Sequence, residues 1–235
     1  MNSRDKELIE IVGHLKNLLF AHMEMGLEPP PLSSSSLDYL LRRPSSPLNS
    51  LEELRAFIGD CKRCKLSHGR MNLVFGEGSP KARLVFVGEG PGREEDQEGR
   101  PFVGEAGKLL TRIINAMGLS RDEVYICNVV KCRPPNNRDP EEDEIKTCIP
   151  FLKRQLDLIR PQVICTLGRV AAQGLLEKKV KITQERGRWH RYKDAPVMPT
   201  YHPAYLIRNP SAKRPVWEDV QEIMKHLGLE VKKNA

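Results

Sequence analysis

Four of the six cysteines have a spacing that suits metal binding. Cys61 and Cys64 form a tight C-x-x-C pair, and Cys132 and Cys148 lie far downstream with fifteen residues between them. Four thiolates of this kind, two from one pair and two from separate segments, are typical ligands of a tetrahedral zinc ion or of an iron–sulfur cluster. The spacing therefore predicts a metal centre with four cysteine ligands, and it leaves zinc and iron–sulfur open.

A second group of chemically capable residues follows a short apolar run. Leu84 to Val87 has the composition of a buried strand, and the glycines and proline of Gly88 to Gly92 stop both strand and helix. Acidic residues from Glu94 to Asp96 and the aromatic Phe102 lie in the same stretch. Ligands of α/β proteins bind beyond the carboxyl ends of strands, at turns of this type. The alternative is that Gly-Pro-Gly forms only a tight turn.

The elements that would position these residues alternate between strands and helices. Alternation of this kind predicts a parallel sheet covered on both faces, because the strand runs are apolar throughout. The predicted fold is a three-layer α/β/α sandwich around a central four-stranded parallel sheet. The predicted strands are Leu84–Gly88, Val124–Asn128, Val163–Leu167 and Val197–Thr200. The predicted helices are Ser50–Ile58, with a capping box from Ser50 and Glu53, then Glu105–Met117, Pro140–Ile159, Gly168–Leu176 and Val216–His226. Cys127 and Cys165 fall within strands and are expected to be small buried residues.

Three regions differ in composition. Residues 1–27 have the apolar spacing of an amphipathic helix, which either docks on its own domain or binds a partner protein. Residues 28–49 are rich in proline and serine and predict a linker. Residues 50–230 form the predicted globular domain, and residues 51–235 carry a net charge of +8 against −1 for residues 1–50.

The basic body is compatible with a polyanionic partner such as nucleic acid. No apolar run reaches the roughly 18 residues of a membrane span, and the first residues lack the pattern of a secretory signal. A cytoplasmic protein without a membrane partner is therefore expected, and we expect a monomer.

Two motifs and a middle segment resemble the family 4 uracil-DNA glycosylases, the thermostable-type, iron–sulfur branch of their superfamily. The resemblance runs from about Leu51 to Leu227. It is carried by Gly88-Glu89-Gly90-Pro91-Gly92 with Glu95 and Gly99-Arg100-Pro101-Phe102-Val103-Gly104, by Asn128-Val129-Val130-Lys131-Cys132-Arg133-Pro134-Pro135, and by His202-Pro203-Ala204-Tyr205-Leu206-Ile207-Arg208-Asn209-Pro210. It implies a DNA repair enzyme that releases uracil from single- or double-stranded DNA. It also implies a 4Fe–4S cluster on Cys61, Cys64, Cys132 and Cys148.

The resemblance assigns roles within a pocket that receives a flipped nucleotide. Phe102 would stack on uracil, Asn128 would read its edge, and the backbone from Gly88 to Gly90 would approach it closely. Glu95 would exclude the methyl group of thymine. Without the resemblance, Asn128 would be a strand cap and Glu95 a solvated acid at a helix start.

Two further residues would carry the chemistry. His202 would donate to the developing charge on uracil O2. Glu89 is our candidate for positioning water or stabilising the cationic sugar, because Gly90 occupies the position where a better-known branch of the superfamily has an aspartate.

The second motif also suits DNA binding. Leu206 would wedge the space left by the flipped base, with Tyr205 beside it, and Arg208 would grip phosphate; the alternative is a helix start packed on the core. The expected further phosphate contacts are Lys131, Arg133, Arg138, Lys213 and Arg214. Two rival readings remain. One is a catalytically silent iron–sulfur module that binds nucleic acid. The other is a phosphate loop, although GEGPGR lacks the lysine and the glycine spacing of known loops.

Overall fold

The structure is a computed structural model of the 235-residue chain, and it describes residues 48–231 together with His14, Met25 and Gly26. The helix predicted in residues 1–27 and almost all of the linker predicted in 28–49 lie outside the described residues. Both stay predictions.

A six-stranded sheet forms the centre of the domain, in the order β1-β3-β2-β4-β6-β5. The strands are β1 (Glu77–Gly78), β2 (Leu84–Gly88), β3 (Tyr125–Asn128), β4 (Val163–Leu167), β5 (His190–Tyr192) and β6 (Ala195–Thr200). The four inner strands are parallel, as predicted, and the two outer ones pair antiparallel at the edges. The prediction of four strands in the sheet missed these edges, because strands of two and three residues carry almost no periodic signal.

The helices in the described residues are α1 (Leu51–Ile58), α2 (Arg93–Glu98), α3 (Glu105–Ala116), α4 (Glu142–Ile159), α5 (Arg169–Leu176), α6 (Ile182–Glu185), α7 (Pro203–Arg208) and α8 (Lys213–Leu227). The five predicted helices correspond to α1, α3, α4, α5 and α8. The predicted N-cap of α1 is confirmed, since Ser50 Oγ accepts from Glu53 N. The return bond of the predicted capping box differs, because the Glu53 carboxylate accepts from Asn49 N and not from Ser50 N.

Two apolar clusters, one on each face of the sheet, make the fold a three-layer sandwich. One cluster contains Val85 and Val87 of β2 together with residues of α1, α4 and α5. The other contains Leu84 and Phe86 of the same strand together with residues of α3, α7 and α8. Successive side chains of a strand point to opposite faces, so β2 supplies both cores. The α/β/α fold class is therefore confirmed.

The direction in which the chain adds strands to the sheet reverses at the carboxyl end of β2. The α3 crossover leads from β2 to β3 on one face, and the α4 crossover leads from β3 to β4 on the other. Such a switch point opens a crevice beyond the carboxyl ends of the strands. None of the helices in the described part of the chain has the length and apolarity that a membrane crossing requires.

Candidate active site

The crevice at the switch point is a pocket of about 520 Å³. Eight residues that the sequence assigned to a site line it: Glu89, Gly90, Glu95, Phe102, Asn128, His202, Tyr205 and Arg208. These residues come from three separate segments of the chain, 89–102, 128 and 202–208. The fold therefore brings together most of the predicted site.

Asn128 ends β3 and is 1% exposed, and its Oδ1 has no hydrogen-bond partner within the described structure. The register of β2 and β3 sets Gly88 directly beside it. A Cβ atom at Gly88 would lie 2.4 Å from Asn128 Oδ1 and 2.6 Å from two ring carbons of Phe102. Only glycine fits between the amide and the ring. A buried polar atom without a partner is costly, so Asn128 Oδ1 is an acceptor that a ligand in the pocket could satisfy.

His202 precedes α7 and lines the same pocket. Its ring centroid lies 5.6 Å from that of Phe102. Its Nδ1 accepts a hydrogen bond from Ala204 N at 3.1 Å, so in the neutral ring the proton is assigned to Nε2. Burial lowers the pKa of His202 to about 4. The imidazole is therefore neutral near pH 7 and has one N–H to donate.

Glu89 is the carboxylate next to Gly88 in the pocket wall. The pKa of Glu89 is raised to about 7, mainly by burial and also by nearby Asp139, while Arg169 acts in the opposite direction. Asp139 also lines the pocket, and it is paired with Arg169. The sequence analysis missed these two neighbours, because they belong to a loop and to a helix start without a motif of their own.

Glu95 lies in the first turn of α2, a helix that the sequence analysis did not predict. Its Oε1 accepts from the backbone N–H groups of Val103 and Gly104 at 2.9 and 3.0 Å, and its Oε2 accepts from Gly92 N at 3.1 Å. The carboxylate therefore fixes the loop that carries Phe102. Glu95 lies at a helix start, as the alternative expects, but it is half-buried and its carboxylate is held by backbone N–H groups.

The short helix α7 presents two faces. Leu206 is 1% exposed and packs in the core, so it does not form the expected wedge in this structure, and the alternative of a helix packed on the core is confirmed. Among the large hydrophobic side chains of α7, Tyr205 and Ile207 are exposed, at 39% and 42%. Ile207 is therefore the aliphatic side chain that this helix presents at the surface.

Lys131 is also misplaced by the sequence analysis, which expected a phosphate contact. Its side chain is 1% exposed, and its Nζ donates to the Asn128 carbonyl at 2.8 Å and to Gln155 Oε1 at 2.6 Å. Arg138, another expected phosphate contact, makes a two-pronged ion pair with the buried carboxylate of Glu144. Lys131 serves the fold, because its amine is enclosed. Arg138 is partly exposed and lines the pocket, so its phosphate contact stays a prediction.

The four predicted metal ligands lie in one region beside the sheet. Cys132 and Cys148 belong to the apolar cluster under α4, and Cys61 and Cys64 pack against it. Three nitrogen donors reach their sulfurs: Arg63 to Cys61 at 3.2 Å, Arg70 to Cys132 at 3.2 Å, and Lys131 N to Cys148 at 3.3 Å. Within the described residues no three acidic, histidine or cysteine side chains approach closely enough to hold one metal ion.

The remaining two cysteines are in the strands, as predicted. Cys127 and Cys165 are 1% and 0% exposed. Taken together, the fold and pocket define an α/β protein with a crevice at the carboxyl ends of its parallel strands and four free thiols beside the sheet.

Comparison with known proteins identifies the family of this chain. The family model of the uracil DNA glycosylase superfamily matches residues 75–221. A type-4 uracil-DNA glycosylase of Sulfurisphaera tokodaii is 51% identical over 75% of this chain and 84% of its own length. The type-4 enzymes of Saccharolobus solfataricus and Thermotoga maritima are 47% and 49% identical over 77% and 73% of this chain, and 88% and 93% of their own lengths. The chain belongs to the uracil DNA glycosylase superfamily and, within it, to the type-4 enzymes.

Proposed function

We propose that this chain is a monofunctional uracil-DNA glycosylase of base excision repair. It breaks the C1′–N1 bond of a deoxyuridine flipped into the pocket, adds water at C1′, and releases uracil from an abasic site. The observation that carries the proposal is the buried Asn128 Oδ1 without a partner, beside Gly88 and the ring of Phe102. A planar base with an N–H group would satisfy this oxygen.

Asn128 distinguishes uracil from cytosine by its side-chain amide. Its Oδ1 accepts from uracil N3–H, and its Nδ2 donates to O4. Cytosine has the opposite pattern at these two positions, and buried groups left unpaired cost about 1–3 kcal/mol each. Phe102 stacks on the ring, and a stack of this kind contributes about 1–3 kcal/mol.

His202 stabilises the leaving group. As the C1′–N1 bond breaks, its electron pair moves to uracil, and negative charge develops at O2. A neutral imidazole with its proton on Nε2 can donate to that oxygen without carrying a charge of its own. A fixed donor aimed at developing charge is usually a large term in catalysis.

Glu89 acts on the sugar side of the pocket. As a carboxylate it positions the attacking water and stabilises the cationic sugar. The pKa of about 7 supports this role, because the group is then partly ionised near neutral pH. No lysine lines the pocket among the described residues, and Lys131 is held by Asn128 and Gln155, which supports hydrolysis without lyase activity.

Glu95 is proposed to form the wall against the methyl group of thymine. Its three hydrogen bonds from backbone N–H groups keep the carboxylate from swinging away to admit a larger base. The same contacts hold the Phe102 loop in place.

DNA binding is proposed for the exposed face of α7 and a basic groove beside it. Tyr205 and Ile207 are the exposed side chains that could fill the gap left by the flipped nucleotide, and Arg208 lines the pocket mouth. The basic groove is lined by Glu105, Lys108, Leu109, Arg112, Ile207 and Lys213, and it shares Glu105 with the pocket. Its three cations suit phosphates that flank the target nucleotide.

A 4Fe–4S cluster is proposed on Cys61, Cys64, Cys132 and Cys148. Four thiols with three N–H donors aimed at their sulfurs fit such a cluster. A single zinc ion requires its sulfurs about 2.3 Å from one point. The type-4 relatives favour the cluster over a single zinc ion, as the resemblance of the sequence implies. When bound, the cluster would cross-link the two cysteine segments.

One assay tests the function against the alternative of a silent binding module. The protein is incubated with an oligonucleotide that contains one uracil, and alkali then cleaves the strand at any abasic site. Scission at uracil, and none at cytosine or thymine, is the expected result. Absence of scission by iron-loaded protein that still binds the oligonucleotide would leave only the silent module.

Two matched variants locate the activity. Asn128→Ala is expected to slow uracil excision by roughly tenfold to a hundredfold, since two hydrogen bonds to the base are lost. Asn115→Ala, at an exposed position on α3, is expected to act like the wild type. Equal rates for the two variants would remove Asn128 from base recognition.

A further inference from the structure

Phe102 has a backbone conformation that a bulky residue rarely adopts. Its φ is +54°, in the left-handed region where a side chain is strained. Strain of this kind persists only where the surroundings hold the backbone from several directions. The residues that hold it therefore determine where the ring lies.

The groups on both sides of Phe102 are fixed by different partners. The Glu95 carboxylate accepts hydrogen bonds from the N–H groups of Val103 and Gly104, the two residues that follow Phe102 in the chain. Arg121 donates hydrogen bonds to the carbonyl groups of Phe102 and of the preceding residue. Its Nη1 donates to Phe102 O at 3.0 Å, and its Nη2 donates to Pro101 O at 2.8 Å.

Arg121 is itself held in place from two sides. Its Nη1 also donates to Thr111 Oγ1 of α3 at 3.1 Å, and its guanidinium is paired with Glu77. Arg100 binds the same carboxylate, with Nε 2.8 Å from Oε2, but in the described structure its guanidinium donates to neither the Pro101 nor the Phe102 carbonyl. Packing adds a further constraint, because a Cβ atom at Gly107 would lie 1.9 Å from the Phe102 carbonyl oxygen.

We propose that Arg121 is a positioning residue for base binding, which sets the plane of the Phe102 ring through its two carbonyl hydrogen bonds. The proposal rests on the proposed function, since it takes Phe102 as the stacking surface for uracil. Arg121 lies outside the pocket and touches no substrate. Lysine cannot replace it, because one ammonium group cannot reach carbonyls, hydroxyl and carboxylate in a single plane.

The test compares Arg121→Met and Arg121→Lys with Arg100→Met. We measure inhibition of excision by free uracil, KM and kcat separately, and thermal stability. Both Arg121 variants should bind uracil several-fold to roughly tenfold more weakly, as expected from partial loss of a base–aromatic stack. Arg100→Met, which removes a cation from the same Glu77, should bind uracil like the wild type.

A double-mutant cycle separates positioning from general stability. In a Phe102→Ala background the ring is absent, so Arg121→Lys should cause no further loss of uracil binding. A loss that persists in that background, or unchanged uracil binding by Arg121→Lys, would overturn the proposal. If the wild type itself releases no uracil, the proposed function fails instead. Should Arg121→Met not fold, Arg121→Lys keeps the charge opposite Glu77 and decides the question.

Discussion

Glu89 and His202 line the same pocket, and burial moves their pKa values in opposite directions. Burial disfavours the charged form of either group, so the pKa of the carboxyl rises to about 7 and that of the imidazole falls to about 4. One site therefore holds a neutral donor and a partly ionised carboxylate at the same pH. This separation suits a reaction in which one group faces the leaving base and the other the sugar.

The pH dependence of excision follows from these values. If the carboxylate form of Glu89 is active, kcat/KM rises with pH up to about 7 and then levels off. Below that point we expect a fall of about tenfold per pH unit, because the acid form cannot position water. His202 stays neutral above pH 5, so its ionisation should cause no further change in kcat/KM above that pH.

Single-turnover rates between pH 5 and 9 check this expectation. Glu89→Gln should excise uracil slowly at every pH, and its rate should show no rise near pH 7. Its DNA binding should be nearly unchanged. If the rate of Glu89→Gln still rises near pH 7 as in the wild type, the ionisation belongs to another group.

Sequence predicted the pocket residues better than the residues that support them. Asn128 and Gly88 were predictable because each ends an apolar strand run, and parallel strands end at one edge of a sheet. Arg121 was not, since it acts on Phe102 from a turn nineteen residues further along the chain. Lys131 was misassigned because a lysine two residues before Arg133 suggests a basic surface, whereas its amine is enclosed by Asn128 and Gln155.

At the scale of elements, α7 shows why a helix of six residues is hard to interpret from its sequence. The run Pro203–Arg208 has one buried apolar side chain and one exposed apolar side chain at adjacent positions, Leu206 and Ile207. Which of the two faces the core depends on how the helix docks on the sheet. The larger strands and helices were predictable because their periodicity extends over many residues.

Alanine substitutions at these adjacent positions should have opposite effects. Leu206→Ala leaves a cavity in the core and should lower the free energy of unfolding by about 2–5 kcal/mol. Ile207→Ala should change it by less than about 0.5 kcal/mol, because the side chain is exposed.

Excision assays complete this comparison. Ile207→Ala should slow excision from duplex DNA more than from single strands, since only a duplex must be held open. Chemical denaturation and paired excision assays measure both effects. A stable Leu206→Ala protein with a duplex-specific defect would restore the wedge to Leu206.

The basic groove beside α7 makes a separate prediction. Lys108 and Arg112 lie one turn apart on α3, and Lys213 begins α8. Neutralising each with glutamine should weaken DNA binding at all sequences and reduce the slope of log Kd against log salt by about 1 per lost phosphate contact. Lys179→Gln, at an exposed position after α5, is the control. Unchanged slopes would show that DNA lies elsewhere.

At the scale of the molecule, the cysteine region joins distant parts of the chain. Arg70 donates both to the Cys61 carbonyl and to the Cys132 sulfur, so the segment after α1 is tied to the segment after β3. Lys131 extends this link to the pocket, because its N–H meets the Cys148 sulfur and its amine meets the Asn128 carbonyl. Loss of the proposed cluster should therefore disturb both folding and base binding.

Serine variants test the metal centre. Cys148→Ser should lose iron, together with the broad absorbance expected at roughly 400 nm for thiolate-bound clusters, and should melt at a lower temperature. Cys165→Ser changes a buried thiol of β4 outside the group and should keep its iron. Iron analysis, absorbance and thermal melting measure the outcome. Equal iron in the two variants, or zinc in place of iron, would contradict the proposed cluster.

The two edge strands have a consequence for how this protein meets other chains. A sheet edge with many free backbone N–H and C=O groups invites strand addition and aggregation. Here one border has only the two residues of β1, and the other has the three residues of β5, each running antiparallel to its neighbour. Neither border offers a long template, so the domain can remain concentrated on DNA without joining its sheet to that of another copy.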